Sequence, residues 1–124
     1  MLRRSETATA VIGLAIEVHR NLGPGLFEST YHRCLAYELA EHGIEFRSQV
    51  PLPVRYKQAV LACGYRADLI VRNELLLELK CTHELLPIHQ AQMLTYLKLT
   101  GLREGLLINF NERRLVDGLR SFLM

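Results

Sequence analysis

The run Leu75-Leu76-Leu77-Glu78-Leu79-Lys80 limits the fold more than any other stretch: it is aliphatic enough for the middle of a sheet, yet it carries a carboxylate and an ammonium. Side chains alternate along a strand, so Leu75, Leu77 and Leu79 share one face while Glu78 and Lys80 share the other. Burying either charge alone would cost several kcal/mol, so such a strand needs a compensating neighbour. A half-exposed strand with a cross-strand ion pair is one arrangement that supplies it.

A second aliphatic run, Ala67-Asp68-Leu69-Ile70-Val71, holds the only Asp before Asp117. Between the runs, Arg72-Asn73-Glu74 offers a turn-forming Asn, and the two read as a hairpin. A three-residue turn sets Asp68 opposite Glu78 and Arg66 opposite Lys80, whereas a two-residue turn would throw the acids onto opposite faces. Opposed carboxylates repel unless a proton or cation lies between them. Hard oxygen donors without His or Cys favour magnesium or manganese over zinc. The Lys80 ammonium beside them could orient and acidify an attacking water or stabilise charge on a phosphorane-like transition state. These are the parts of phosphodiester hydrolysis.

Elsewhere the pattern is helical first and extended later. Ala8, Val11, Ile12, Ala15, Val18 and Leu22 recur at three- and four-residue steps, with Ser5 as N-cap, which predicts a helix over Glu6–Asn21. Gly23-Pro24-Gly25 stops it, and a second helix is expected from Phe27 to Glu41. Ile44–Val50 and Val54–Tyr56, around Pro51 and Pro53, read as an interrupted or edge strand. Val60–Val71 and Leu75–Thr82 form the hairpin strands. Pro87 opens a third helix to Leu99, Glu104–Phe110 is a buried strand, and Leu115–Leu123 is strand or helix. The order ααβββαβ predicts an α/β or α+β sandwich with helices on a mixed sheet.

Composition excludes several alternatives. A chain of 124 residues with 49% hydrophobic and 23% charged residues suits a single domain over 1–124. At that length folding needs no metal, so any metal would serve chemistry. The formal charge of +2 excludes both an acidic solvating chain and a histone-like one. Twelve of the fifteen cations are Arg, which suits bidentate contact with phosphate, although genome composition gives the same count. Cys34, Cys63 and Cys81 are odd in number and lack CxxC spacing, so a reducing, cytoplasmic setting is expected. Charges at Glu6, Glu17 and Arg20 flank the first apolar stretch, which is too short for a membrane span and reads as unprocessed.

Asp68, nine intervening residues and Glu78-Leu79-Lys80 resemble the motif of the PD-(D/E)XK nuclease superfamily. Gly25-Leu26-Phe27-Glu28-Ser29-Thr30-Tyr31 resembles the signature of its GxxExxY branch. Arg66-Ala67-Asp68-Leu69 fits the same branch, and Gln92-Met93-Leu94-Thr95-Tyr96 is similar to the QxxxY helix motif of RecB-type exonucleases. The resemblance spans about Ala10 to Phe110. It implies a restriction-endonuclease-like core and a Mg²⁺- or Mn²⁺-dependent nuclease acting on DNA. It also implies metal ligation by Asp68, Glu78 and the Leu79 carbonyl, a catalytic Lys80, and Glu28 joining the site directly or through water. Gln92 and Tyr96, four apart on one helix face, would hold the Lys80 side or touch substrate, with Tyr31 and Arg66 as further support.

Each residue has a plainer reading beside this one. Glu28 is a favourable acid in a helix's first turn, Tyr31 and Tyr96 are core residues, and Gln92 faces solvent. Cys81, His83 and His89 match no zinc framework, and His83 is expected at the mouth of the site. Arg47, Arg55, Arg66, Arg72, Arg113 and Arg114 are candidate phosphate contacts or simply a solvated face. For the whole chain the competing function is a non-catalytic nucleic-acid-binding or protein-interaction module that keeps the fold. Neither an aromatic platform nor a basic stripe stands out, so either function calls for a homodimer or a protein partner.

Overall fold

The structure, a computed structural model, describes residues 3–124. Helix α1 (Glu6–Leu22) starts where the Ser5 hydroxyl accepts the Ala8 N–H at 3.0 Å, satisfying one of the donors a helix start leaves free. It buries Ala8, Val11, Ala15 and Val18, the expected stripe, and ends at Gly23 (φ 69°). Helix α2 (Glu28–Glu41) buries Tyr31, Leu35 and Leu39 and packs beside α1.

Seven strands follow: β1 (Phe46–Pro51), β2 (Val54–Tyr56), β3 (Ala59–Leu61), β4 (Arg66–Val71), β5 (Leu75–Lys80), β6 (Glu104–Asn109) and β7 (Leu119–Leu123). Five make one sheet in the order β1-β4-β5-β6-β7, antiparallel except for the β5–β6 pair. A parallel neighbour requires a crossover, and helix α3 (Pro87–Thr100) supplies it with Pro87 at its start. The two helical layers cover the two faces. Leu69, Val71, Leu75, Leu77, Leu79, Leu106 and Ile108 meet α1 and α2, whereas Ile70, Leu76 and Leu107 meet Met93, Tyr96 and Leu97 of α3. Gly105 lets α3 lie close, since a Cβ there would sit 2.6 Å from the Met93 sulfur. Leu75, Leu76, Leu77 and Leu79 are all buried, and each contributes on the order of 2 kcal/mol, so β5 can tolerate a buried acid.

The architecture is the expected mixed α/β sandwich, with corrections at element scale. Val60–Val71 is not one strand: Ala59–Leu61 pairs with Val54–Tyr56 in a separate two-stranded sheet, and the chain breaks at Ala62–Tyr65 before β4. Gly64 (φ 81°) makes that break, and Pro53, which has no N–H to donate, separates β1 from β2. The closing segment divides into a 3₁₀ turn, Leu115–Gly118, and strand β7. Gly118 lies so close to the Asn109 carbonyl that any Cβ would collide with it.

Candidate functional site

The β4–β5 connection is the three-residue turn the acids require. Arg72 (φ 53°) and Asn73 (φ 54°) are left-handed, and the Glu74 N–H donates to the Val71 carbonyl at 3.0 Å. Val71 faces Leu75, Ile70 faces Leu76 and Leu69 faces Leu77. The next pair in this register is Asp68 and Glu78, and there side chains replace the backbone ladder. The Asp68 N–H donates to Glu78 Oε2 at 2.7 Å, and the Leu79 N–H donates to Asp68 Oδ2 at 2.7 Å. Carboxyl oxygens thus take the place of the carbonyl partners that a regular ladder would supply. Because β4–β5 pairing stops at Leu69, the expected opposition of Arg66 to Lys80 does not form; Arg66 pairs with Pro51 of β1 and is exposed.

The alternation of faces slips at the same place on two strands. Phe46 packs with the α1–α2 layer but Val50 with the α3 layer, although strict alternation would keep both on one face. Likewise Leu69 and Val71 belong to the first layer and Ala67 to the second. Gln49, at φ 51°, supplies the reversal on β1, opposite Asp68 in the register. The strands turn over here, and this opens the ladder at the acids.

Electrostatics follow from that geometry. Glu78 is 4% exposed, and its carboxyl is pushed up to about 8, first by burial and then by the Asp68 charge. The Asp68 N–H and the Lys80 ammonium pull it down, and Glu28 adds to the rise. Glu28 opens α2 at the rim, its carboxyl raised mainly by burial, with Lys80 opposing and Asp68 assisting. Lys80 ends β5 half-buried, close enough to act on both glutamates, and among the described residues it forms no ion pair. Tyr96 forms the α3 side: burial and then the Glu78 and Asp68 charges raise its hydroxyl, Gln92 Nε2 donates to it at 3.2 Å, and Tyr65 lies edge-on 6.1 Å away. Gln92 is thus half-buried and held by Tyr96 rather than turned to solvent.

Tyr31 secures the approach to Glu28. Its hydroxyl donates to the Gly23 carbonyl at 2.5 Å and accepts the Leu26 N–H at 3.2 Å, while its ring stacks on Phe110 with centroids 4.6 Å apart. Cys81 Sγ donates to the Leu26 carbonyl at 3.0 Å, and burial and then Glu28 raise its thiol. His83 is exposed just past β5, and His89 Nδ1 accepts the Leu86 N–H at 3.0 Å, capping α3.

Three further positions line or support the site. Arg33 and Gln49 line a hollow of about 280 Å³ with Glu28, Ser29, His32 and Asp68. Arg33 looks like any surface arginine in sequence, and Gln49 gains its place only through a backbone reversal. Asn109, fully buried, joins the exit of β5 to the end of β6: its Oδ1 accepts the Thr82 N–H at 3.1 Å and its Nδ2 donates to the Thr82 carbonyl at 3.0 Å. An amide closing the aliphatic run Leu106-Leu107-Ile108 was the available signal.

Among the described residues no three His, Cys, Asp or Glu side chains converge to hold a metal ion. The donors that do converge still fit one. Asp68 and Glu78 each give one oxygen to a backbone N–H, leaving Oδ1 and Oε1. The Lys80 carbonyl accepts the Phe110 N–H at 2.9 Å on the β6 side, so strand alternation turns the Leu79 carbonyl toward β4 and Asp68. Two carboxylates and a carbonyl suit a hard cation such as Mg²⁺, which is bound through one or two carboxylates and keeps several waters.

A family model described as the PD-(D/E)XK nuclease superfamily matches residues 5–122, and the mixed sheet with its three helices agrees with a restriction-endonuclease-like fold. No curated protein and no solved structure matches the chain. No helix among the described residues is long and apolar enough to cross a membrane.

Proposed function

The chain belongs to the PD-(D/E)XK nuclease superfamily, and on that premise we propose that it is a Mg²⁺- or Mn²⁺-dependent nuclease that hydrolyses phosphodiester bonds of DNA through an activated water. The observation that carries this reading is the Asp68–Glu78 pair across the opened ladder, with Lys80 on the same strand and near both glutamates. Gly25 to Tyr31 and Gln92 to Tyr96 favour the GxxExxY branch with a RecB-like helix motif.

The free oxygens of Asp68 and Glu78, with the Leu79 carbonyl, would hold the cation, and Glu28 would reach it through water. A divalent cation there supplies Lewis acidity to the attacking water and to the scissile phosphate. Lys80 orients the water and stabilises charge gathering on the phosphoryl oxygens. Tyr96, held by Gln92, closes the α3 side, and Arg33 offers a cation to a neighbouring phosphate. The three cysteines are free, in keeping with a reducing, cytoplasmic setting. A homodimer or a protein partner would enlarge the surface that meets a duplex.

The test is cleavage of single- and double-stranded DNA and RNA in Mg²⁺, Mn²⁺ and EDTA. Lys80→Ala should lower the rate by at least about a hundredfold while the fold and much of the metal binding persist. Asp68→Asn should weaken metal binding itself, and Glu78→Gln controls for a contaminating nuclease. Equal rates in wild type and Lys80→Ala would overturn the assignment and leave a non-catalytic binding module.

A further inference from the structure

We propose that the β2–β3 hairpin is a nucleic-acid-gripping arm that seats a DNA duplex against the acid pair, with Arg55 and Lys57 as its phosphate contacts. This deepens the nuclease reading and rests on it for the identity of the partner.

The hairpin is a two-stranded sheet separate from the main one, and apart from half-buried Val54 its residues are exposed. Val60 is 59% and Tyr56 60% exposed, so the arm gains little from packing, and a two-stranded hairpin alone is marginal in water. Its feet are nevertheless fixed. Buried Leu52 donates its N–H to the Tyr65 carbonyl at 2.8 Å, and Tyr65 meets Tyr96 edge-on. Arg66 and Asp68 follow directly. A hollow of about 290 Å³ at the feet, lined by Leu52, Tyr65 and Arg66 among others, shares Gln49 with the hollow that holds Glu28 and Asp68. Gln49 therefore borders both the hollow at the arm's feet and the one at the acids.

Charge selects the occupant. Between Glu45 and Asp68 the chain carries Arg47, Arg55, Lys57 and Arg66 and no acid, although the whole protein is nearly neutral. Lys57 stands at the tip with φ 55°, its ammonium 5.3 Å from the Tyr56 ring centroid. Two such arms pairing edge to edge would bring like charges together, whereas a polyphosphate backbone meets them with opposite charge. The size also fits. Four residues from Pro53 to the tip extend about 13 Å, and a major groove about 12 Å wide admits a two-stranded ribbon.

The test measures equilibrium binding of a fluorescein-labelled random-sequence DNA duplex to the full chain in EDTA across a salt series, with cleavage in Mg²⁺ followed separately. Arg55→Gln combined with Lys57→Gln should weaken binding by about tenfold and make the salt dependence shallower by about two counterions, at about 0.9 per phosphate contact. Arg103→Gln combined with Arg120→Gln, exposed cations at the far edge of the sheet, should change neither. The melting temperature of the arm variant should match wild type. Unchanged affinity and slope overturn the arm even if the protein cleaves DNA. So does a wild-type dimer that the arm substitutions dissociate without altering DNA affinity. Arm-dependent binding without any cleavage supports the arm and removes the nuclease reading instead.

Discussion

Glu78 binds a proton more tightly in the folded chain than in the unfolded one, which ties stability to pH. Its ordinary value is 4.5 and its folded value about 8, so between these limits the folded state holds the extra proton and stability falls as pH rises. In EDTA the wild type should lose on the order of a few kcal/mol across that window, read as a falling melting temperature, whereas Glu78→Gln should be much flatter and more stable at the alkaline end. A wild-type curve as flat as the variant's would contradict the burial assigned to this carboxyl. Residues of this kind were legible early. A period of two and a three-residue turn were enough to place Asp68 opposite Glu78, because both are local rules. Gln49 and Arg33 were not legible: one depends on a left-handed backbone residue inside a strand and the other on which flank of α2 faces a hollow.

Among the elements, the Gly23–Leu26 reversal determines where α2 begins and so where Glu28 stands. Tyr31→Phe keeps the stack on Phe110 but removes the hydroxyl bonds to Gly23 and Leu26. A stability loss of about 1–2 kcal/mol is expected in denaturant unfolding, with a lower cleavage rate that the unchanged Glu28, Asp68, Glu78 and Lys80 do not themselves explain. An unchanged rate would mean that the reversal does not position Glu28. Helices α1, α2 and α3 were readable to within a residue or two because cap and stop signals bracket them. The strand run Val60–Val71 was not, since β propensity continues across a break that Gly64 and the Leu52–Tyr65 bond impose from outside the run.

At the scale of the whole molecule, α1 ties the layers to the sheet. Ser5 donates from both its N–H and hydroxyl to buried Glu104, and Thr7 bonds Glu74 and accepts from Arg72 at the β4–β5 turn. The acid pair thus lies in a strand unit held at its turn and open at its far end. A divalent cation entering that opening should stabilise the entire fold, by about 2.7 kcal/mol at a hundred times its dissociation constant. The check is a melting-temperature rise in Mg²⁺ or Mn²⁺ that Asp68→Asn abolishes; an equal rise in both proteins would place the cation elsewhere. A mixed sheet with helices packed on it followed from the sequence, whereas the strand order β1-β4-β5-β6-β7 and the detached arm did not, because nothing local says which neighbour or which sheet a short strand will join. The use of Asp68 and Glu78 as hydrogen-bond acceptors for backbone N–H groups also has an evolutionary side. A lineage that abandoned chemistry would still be penalised for replacing either acid with a side chain that cannot accept, since one strand amide would lose its partner. The Lys80 side chain makes no such bond among the described residues, and so under the nuclease reading it is the residue whose drift in a descendant would mark the end of catalysis.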